Sequence, residues 1–242
     1  MENKTILVTG GTAGIGLETA KTLAAQGNTV IVTGRDEEKL RRVSAQSGVQ
    51  AFRCDSGNPV EITALAEQLK QADITLDGLV LNAGVFFPQP IGEISADDIN
   101  HTFAINMAGP LLTLQSLLPL LKNPASVVMV SSVVLDKTWP STAVYTASKA
   151  ALEAIASVAS VELAGRGIRI NTVRPGVTLT EIQAKAGMSE DDIAALAEGL
   201  SSTPLGRALV ADDLVPAITF LLSDGSLPMR NAVMTVDGGV RL

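Results

Sequence analysis

Residues 4–16 read KTILVTGGTAGIG, a short β-rich run followed directly by a glycine-rich turn. A helical stretch continues from this turn to about Gln26. Small residues let a turn approach a pyrophosphate closely, and the helix behind it offers free N–H groups and the positive end of its dipole. The stretch therefore predicts a strand, a phosphate-binding turn and a helix at the start of an α/β fold. Its spacing is Gly-x-x-x-Gly-x-Gly rather than the commoner Gly-x-Gly-x-x-Gly.

Apolar, β-rich runs bounded by turn residues recur along the whole chain, and helical stretches lie between them. Including the first, there are seven: 4–9, 29–33, 49–54, 78–81, 126–130, 169–173 and 233–236. Apolar strands joined by helical crossovers indicate a parallel sheet buried on both faces. We therefore expect an α/β fold of the Rossmann type, a doubly wound seven-stranded parallel sheet in three layers, α/β/α. No linker or low-complexity tract interrupts the chain, so residues 1–242 are expected to form a single domain.

Composition argues against several classes of partner. The formal net charge is −7 and the pI is near 4.8, whereas a general nucleic-acid binder needs a basic footprint. No apolar run reaches the length of about 18 residues that spans a bilayer, and the N-terminus has no signal-peptide pattern. The one cysteine, Cys54, cannot form an internal disulfide, and no Cys/His cluster indicates a metal site. We expect no nucleic acid, membrane or metal partner, and a cytoplasmic location.

The end of the second strand bears on which dinucleotide is bound. An acidic residue there usually holds the adenosine ribose hydroxyls, whereas an arginine accommodates a 2′-phosphate. This chain has Gly34 and then Arg35, which favours NADP over NAD, although Asp36 is adjacent and Arg35 could instead be a solvated surface residue. Asp55, at the end of the third strand, is placed to accept a hydrogen bond from the adenine amino group. Arg41 and Arg42 either add positive field or lie on an exposed helix face.

Tyr145 and Lys149 form the pattern Tyr-x-x-x-Lys near the start of a helical stretch that runs to about Leu163. Four residues of separation place both side chains on one helix face, one turn apart. A cation near a phenol lowers its pKa, and a tyrosine so tuned can exchange a proton near neutral pH. Alternatively, the two side chains share a helix and never cooperate.

Other polar or small residues follow later strands, at the edge of a parallel sheet where ligands bind. They are Asn82-Ala83-Gly84, Ser131-Ser132 and Pro175-Gly176. Phe86 and Phe87 either wall a pocket or fill the core. Trp139, the only tryptophan, either lines a substrate pocket or holds its loop in place.

In combination these motifs resemble the short-chain dehydrogenase/reductase family, in its single-domain group, over nearly the whole chain. The residues that carry the resemblance are Thr9-Gly10-x-x-x-Gly14-x-Gly16, Asn82-Ala83-Gly84, Asn106, Ser132, Tyr145-x-x-x-Lys149, Pro175-Gly176 and Val236-Asp237-Gly238-Gly239. Ser132 is matched in preference to Ser131 because it precedes Tyr145 by thirteen residues, the usual interval in the family.

The resemblance implies a nicotinamide cofactor and four catalytic residues. Tyr145 would donate a proton to the substrate oxygen and Ser132 would hydrogen-bond the same oxygen. Lys149 would lower the pKa of Tyr145 and hold the nicotinamide ribose, and Asn106 would hold a water that passes protons to Lys149. The expected cofactor-binding residues are Gly10, Thr12, Gly14, Ile15, Gly16, Arg35, Asp55, Asn82, Ala83, Gly84, Tyr145, Lys149, Pro175, Gly176, Thr178 and Thr180. Ser132, Phe86 and Trp139 are expected to line the substrate pocket.

Three positions depart from the family pattern. Arg174 precedes Pro175 where a small residue is common, and Thr178 stands where an aliphatic residue usually meets the nicotinamide carboxamide, although its backbone N–H could still serve. Ala13 occupies a turn position where many NADP enzymes have a base, so phosphate recognition would depend mainly on Arg35.

The helix after Tyr145 is apolar on nearly all sides, and Glu153 and Glu162 are its only charged residues between Ala150 and Leu163. Such a helix needs burial on more than one face. We expect the sheet to cover one face and another subunit to cover the other, in a homodimer or homotetramer.

These observations favour an NADP-dependent oxidoreductase that interconverts a carbonyl and an alcohol on a small molecule. A 3-oxoacyl-carrier-protein reductase is one alternative, but it needs a basic docking surface for its acidic partner. Residues 177–203 are acidic, and Arg166 is the base best placed for docking. A non-catalytic nucleotide-binding sensor and an epimerase or dehydratase of sugar nucleotides are further alternatives. The substrate, the direction and the stereochemistry stay open.

Overall fold

The computed structural model describes residues 2–46 and 48–242. Within these residues seven strands form one parallel sheet in the order β3-β2-β1-β4-β5-β6-β7. The strands are β1 Thr5–Val8, β2 Thr29–Gly34, β3 Val49–Arg53, β4 Leu76–Leu81, β5 Leu121–Val130, β6 Ile168–Pro175 and β7 Val233–Val236. The predicted fold class is confirmed. The bounds differ most at β5, which begins five residues earlier than expected.

The order of the strands reverses at β1, which pairs with β2 on one side and β4 on the other. Val8 is in register with Val32 of β2 and with Val80 of β4. The chain therefore winds outward to β3, returns to the centre and winds outward again to β7. In an open parallel sheet this reversal creates a crevice beyond the carboxyl ends of the strands, where ligands bind.

Helices cover both faces of the sheet, which gives the three predicted layers. Successive residues of a strand point to opposite faces, so Leu7 packs into one apolar cluster while Ile6 and Val8 pack into the other. The helices are α1 Gly14–Ala25, α2 Glu37–Ser44, α3 Pro59–Gln71, α4 Ala96–Phe103, α5 Gly109–Leu117, α6 Ala143–Glu162, α7 Glu181–Lys185, α8 Glu190–Gly199 and α9 Val215–Leu222. A single domain over residues 1–242 stays a prediction.

The sequence from about Ile99 to Leu121 predicts one long helix, but the structure interrupts it. A five-residue π-helix, Ala104–Ala108, separates α4 from α5, and the N–H of Gly109 bonds the carbonyl of Ala104. Residue 110 is proline, which has no N–H to donate to the carbonyl four residues before it. The regular helical hydrogen bonding is therefore broken at this point.

By length and composition the helical stretch Ala96–Leu120, which includes the π-helix, is long and apolar enough to span a membrane, although polar residues interrupt its apolar run. The stretch packs against α3 and α6 within the fold. A core helix of a globular fold passes the same test, so this property says little about location.

The sequence indicates no regular element between Val177 and Thr203, yet α7 and α8 form there. The Thr180 hydroxyl accepts from the N–H of Ile182, and Gln183 Oε1 accepts from the N–H of Thr180. Ser189 and Asp192 make a second reciprocal pair at the start of α8. Capping boxes of this kind satisfy free N–H groups at a helix start and stabilise even short helices.

Candidate active site

One cavity of about 870 Å³ lies beyond the carboxyl ends of the strands. The glycine-rich turn after β1 and the Tyr145 side chain both border it. Most of the residues expected to bind the cofactor line this cavity: Gly10, Thr12, Gly14, Ile15, Arg35, Asp55, Asn82, Ala83, Gly84, Tyr145, Lys149, Pro175, Gly176, Thr178 and Thr180. The sheet therefore brings together groups that lie far apart in sequence.

The glycine-rich turn has the shape that a pyrophosphate requires. Gly10 and Gly14 have φ angles of 63° and 52°, in the left-handed region that favours glycine. A Cβ at Gly14 would lie 3.1 Å from Cγ2 of Thr180, so a side chain would crowd the floor of the cavity. Ala13, the N-cap of α1, makes no side-chain cap hydrogen bond. The turn and the uncapped helix start fit a bound anion, because both leave backbone N–H groups accessible.

Gly16 was expected to bind the cofactor, but it is buried and does not border the cavity. A Cβ there would lie 2.5 Å from both Asn82 Nδ2 and the Gly10 carbonyl oxygen. Gly16 instead lets α1 pack closely on the turn. Asn82 holds the same turn by donating to the carbonyls of Thr9, at 3.0 Å, and Gly10, at 3.3 Å.

The end of β2 carries the groups that bear on the adenosine half of a dinucleotide. The Asp36 carboxylate caps α2 by accepting from the N–H groups of Glu38, at 2.9 Å, and Lys39, at 3.0 Å. These backbone hydrogen bonds lower the pKa of Asp36. The Arg35 guanidinium is half-exposed and lies 3.6 Å from an Asp55 oxygen. Asp55 therefore pairs with Arg35 and also accepts from the N–H of Gly57 at 2.9 Å, two partners that the sequence did not indicate.

Lys39 also borders the cavity, which the sequence analysis missed. It pairs with Glu181 at the start of α7, and Arg41 and Arg42 do not border the cavity. Lys39 lies in the first turn of α2, directly after the carboxyl end of β2, and this position was the available signal.

At the other end of the cavity, Thr178 lies beside Leu209 in an isolated parallel bridge. This bridge uses the N–H groups of Leu179 and Leu209 and leaves the N–H of Thr178 out of the pairing. The Thr178 hydroxyl donates to the Gly176 carbonyl at 3.1 Å. This geometry is compatible with the predicted contact between the Thr178 backbone N–H and the nicotinamide carboxamide.

The Tyr145 side chain is half-buried beside the Phe86 ring, with 5.0 Å between ring centroids in an edge-to-face arrangement. Burial raises the pKa of the Tyr145 phenol, and a hydrogen bond with the Ser132 side chain offsets this only in part. The prediction of a lowered pKa is therefore wrong, because desolvation outweighs the stabilising contacts of the phenolate. A phenol with a raised pKa is protonated at neutral pH, which is the form that can donate a proton.

Lys149 is 4% exposed and lies one turn after Tyr145 on α6. Its ammonium donates to the Val130 carbonyl at 2.9 Å and lies 5.7 Å from the centroid of the Tyr145 ring. Burial lowers the pKa of Lys149 to about 8, although the nearby negative charge of Glu153 acts in the opposite direction. The two side chains share one side of the helix as predicted, but desolvation controls the titration of both.

Asn106 is fully buried in the π-helix and does not border the cavity. Its side-chain amide accepts from the N–H of Val85 at 2.8 Å and donates to the carbonyl of the same residue at 2.9 Å, and it also donates to Ser148. The amide therefore fastens the loop after β4 to α6. The predicted relay water at Asn106 stays a prediction. A Cβ at Gly84 would lie 3.3 Å from Asn106 Oδ1 and 3.4 Å from Lys149 Nζ, so Gly84 keeps this junction open.

Comparison with known proteins agrees with this geometry. A family model described as enoyl-(acyl carrier protein) reductase matches residues 10–241. An uncharacterised oxidoreductase of Methylorubrum extorquens is 36% identical and covers 100% of this chain and 99% of its own. The D-threitol dehydrogenase of Mycolicibacterium smegmatis is 30% identical, covering 99% of this chain and 93% of its own. A solved structure of a short chain dehydrogenase/reductase family protein is 29% identical, with a TM-score of 0.85 over 98% of this chain and 97% of that one.

The chain belongs to the short-chain dehydrogenase/reductase family. As a member it is an oxidoreductase that acts on alcohol or carbonyl groups and uses a nicotinamide nucleotide. The catalytic and binding roles assigned to individual residues stay predictions, and the structure brings Ser132, Tyr145 and Lys149 together at one end of the cavity.

Aromatic residues flank this end of the short-chain dehydrogenase/reductase site. Phe86 and Trp139 both line the cavity, whereas Phe87 packs against His101 with 5.7 Å between ring centroids. The Lys137 ammonium lies 5.8 Å from the centroid of the Trp139 ring. Phe86 and Trp139 therefore form part of the cavity wall, whereas Phe87 packs away from it.

Arg174, noted as a departure from the family pattern, joins three parts of the site. Its guanidinium bonds both carboxylate oxygens of Glu153, at 2.8 and 2.6 Å, and lies 2.6 Å from Asp136. The hydrogen bond to Glu153 has the largest effect, and together these contacts raise the pKa of Arg174. Glu153 lies one turn beyond Lys149, and Asp136 lies four residues beyond Ser132. The ion pairs therefore fasten the end of β6 to the segments that carry Ser132 and Lys149.

Proposed function

We propose that the protein reduces a small-molecule ketone or aldehyde to the alcohol with NADPH, and catalyses the reverse oxidation with NADP. The observation that supports this most directly is the shared cavity, which the phosphate-binding turn and the Ser132, Tyr145 and Lys149 side chains all border. The cavity residues would hold the nicotinamide cofactor, and its chemistry when bound would be that of a hydride donor to the carbonyl carbon. All other steps fall to groups of this chain.

Tyr145 and Ser132 act on the substrate oxygen. Negative charge develops on this oxygen as the carbonyl carbon is reduced, and the protonated Tyr145 phenol gives it a proton while the Ser132 hydroxyl hydrogen-bonds it. The raised pKa of Tyr145 keeps the phenol protonated at neutral pH, which suits reduction. Lys149 lies within one helical turn and is placed to stabilise the phenolate left after proton transfer. The carbonyl compound thus gains one hydride at carbon and one proton at oxygen and becomes the alcohol.

Three features of the β2 end support NADP over NAD. The Asp36 carboxylate, the acid nearest the expected ribose position, is already used to cap α2. A side chain at Gly34 would meet the Thr12 side chain at 2.7 Å, so an acid cannot replace this glycine without movement. Arg35 and Lys39 both border the cavity and carry the charge that a 2′-phosphate requires.

A turnover panel tests the reaction. Ketones, aldehydes, secondary alcohols and an enoyl thioester are each offered with NADPH, NADH, NADP and NAD, and product is quantified by chromatography. We expect carbonyl reduction with NADPH and loss of it in Ser132→Ala. Reduction of the enoyl thioester alone contradicts the proposal. NADPH binding with no turnover of any compound favours a non-catalytic sensor instead.

A reductase acting on substrates of an acyl carrier protein is the second candidate, because the matching family model is described in those terms. The basic surface that such a partner needs is weak here. Arg166, the base expected to be best placed, donates to the carbonyls of Leu118 and Leu121, and Lys122 pairs with Asp77. Lys122 is therefore neutralised by an acid and the Arg166 guanidinium is held against the protein by two carbonyls, so the small-molecule reaction is the better supported of the two.

We further propose that the protein is a homodimer or homotetramer. Val158 and Val161 on α6 are 58% and 78% exposed, and Leu111 on the neighbouring α5 is 40% exposed. An apolar side of two adjacent helices is the kind of surface that a second subunit covers.

A further inference from the structure

The charges that border the cavity are segregated to one end. Apart from Lys149, the charged residues among the described lining are Arg35, Asp36, Lys39, Asp55, Glu181 and Lys185. Contacts link five of these six: Arg35 lies against Asp55, and Glu181 pairs with both Lys39 and Lys185. The carboxylate of the sixth, Asp36, accepts from the backbone N–H of Lys39. The charged cluster is therefore the end assigned to the adenosine half of the cofactor.

The end around Tyr145 has a different chemistry. Phe86 packs edge-on against the Tyr145 ring, and the loop that carries Trp139 is joined to the start of α6 because the Thr142 hydroxyl donates to the Trp139 carbonyl at 2.8 Å. Val133 and Val134 follow Ser132 directly along this wall. Three further apolar side chains line the cavity: Ile182 of α7, Met188 in the connection between α7 and α8, and Leu196 of α8.

Polar side chains near this wall are already hydrogen-bonded or out of reach. The Thr142 hydroxyl donates to Trp139, and Gln183 donates to the Thr178 carbonyl at 2.9 Å and accepts from the N–H of Thr180 at 3.1 Å. The Ser131 hydroxyl oxygen is buried from solvent. Ser132 and Tyr145 are thus the hydroxyls left to meet a substrate, and both are assigned to a single oxygen atom.

We infer that the substrate is an uncharged ketone, or the matching secondary alcohol, whose only polar group near Tyr145 is the reacting oxygen and whose remainder is an alicyclic or aromatic hydrocarbon. A carboxylate or phosphate at this end would lose its hydration, and Lys149, the one cation among the described lining there, is buried and assigned to the Tyr145 phenolate. Each additional hydroxyl of a polyol would be buried without a partner, whereas a hydrocarbon ring gains from contact with Phe86 and Trp139. This inference rests on the proposed carbonyl reduction and names the class of substrate for it.

Matched pairs of ketones test the inference. The values of kcat/KM are measured with NADPH for 4-methylcyclohexanone against 4-oxocyclohexanecarboxylate, for acetophenone against 4-acetylbenzoate, and for a ketopentose. We expect the uncharged member of each pair to exceed the charged one by at least about 100-fold, and the ketopentose to be reduced no better than the charged compounds. Equal or greater kcat/KM for the carboxylates or the ketopentose overturns the inference and leaves carbonyl reduction intact. If none of the ketones is reduced although NADPH still binds, the proposed function is contradicted, and the substrate class with it.

A charge placed in the apolar wall gives an independent test. Met188→Arg puts a cation into the lining, and we expect it to raise the preference for 4-oxocyclohexanecarboxylate over 4-methylcyclohexanone by at least about 10-fold. Ala184→Arg makes the same charge change at an exposed position of α7 outside the cavity and is the matched control. If both variants shift the preference equally, the shift reflects the added charge itself and not its place in the wall. That result overturns the assignment of this wall to the substrate.

Discussion

The buried ammonium of Lys149 should make the cofactor-free protein less stable at neutral pH than it would be without this charge. Burial lowers the pKa of Lys149 from its ordinary 10.5 to about 8. One unit of pKa corresponds to about 1.4 kcal/mol, so the folded state is destabilised by roughly 3 kcal/mol at pH 7. The Lys149→Met variant removes the charge and keeps an unbranched apolar chain. It also loses the hydrogen bond to the Val130 carbonyl, worth about 1 kcal/mol.

The sign of the pH dependence follows from the same values. Between about pH 8 and pH 10.5 the unfolded state holds the Lys149 proton while the folded state releases it, so the stability of the wild-type protein rises with pH across this window. We expect Lys149→Met to be more stable than wild type by about 2 kcal/mol at pH 7. This advantage should fall by roughly 2 kcal/mol by about pH 10, because the destabilisation that the variant removes fades as Lys149 loses its proton.

Urea unfolding of the cofactor-free protein at a fixed protomer concentration measures this, with each variant and wild type compared at about pH 7 and pH 10. Lys70→Met, which removes an exposed lysine of α3, is the matched control for the loss of one lysine. A difference in stability between wild type and Lys149→Met that stays constant with pH refutes the reasoning, since Lys149 would then titrate alike in the folded and unfolded states.

Three further predictions concern other parts of the molecule. Arg35→Ala should raise the Kd for NADPH by about 10- to 100-fold in fluorescence titration and leave the Kd for NADH nearly unchanged, with Arg42→Ala as the control. An equal rise in Kd for both cofactors would contradict the assignment of Arg35 to the 2′-phosphate. Arg174→Gln should lower the free energy of unfolding by about 2 kcal/mol, because two half-buried carboxylates lose their cation; an unchanged urea midpoint contradicts the structural role. Val161→Arg should dissociate the assembly in sedimentation at micromolar concentration, and a wild-type chain that is already monomeric there argues against a homo-oligomer.

The sequence predicts the outline of the fold because its signals are local and consistent with one another. Glycines follow β1, apolar runs alternate with helical stretches, and the number of strands and their parallel direction follow from this alternation. The interruption of the helix at Ala104–Ala108 was missed because the apolar run continues across it and Pro110 was read as part of a single helix. Helices α7 and α8 were missed because short capped helices carry little periodicity.

Most residues that the sequence predicts for the site line one cavity, but their electrostatics could not be predicted from the sequence. Spacing alone places Tyr145 and Lys149 together, yet the direction of the Tyr145 pKa depends on burial, which no local pattern reveals. Asn106 was expected to hold a water, and its partners Val85 and Ser148 come from elsewhere in the chain. Long-range pairings of this kind follow from the packing of separate elements and become visible only in the folded structure.

The central claim is that the Tyr145 hydroxyl supplies the proton for carbonyl reduction in the cavity where NADPH binds. The direct test is Tyr145→Phe, which removes one oxygen atom, with kcat for NADPH-dependent ketone reduction and the Kd for NADPH measured on the same preparation. We expect kcat to fall by at least about 100-fold while the Kd stays within about threefold of wild type. A variant that keeps near-normal turnover contradicts the account.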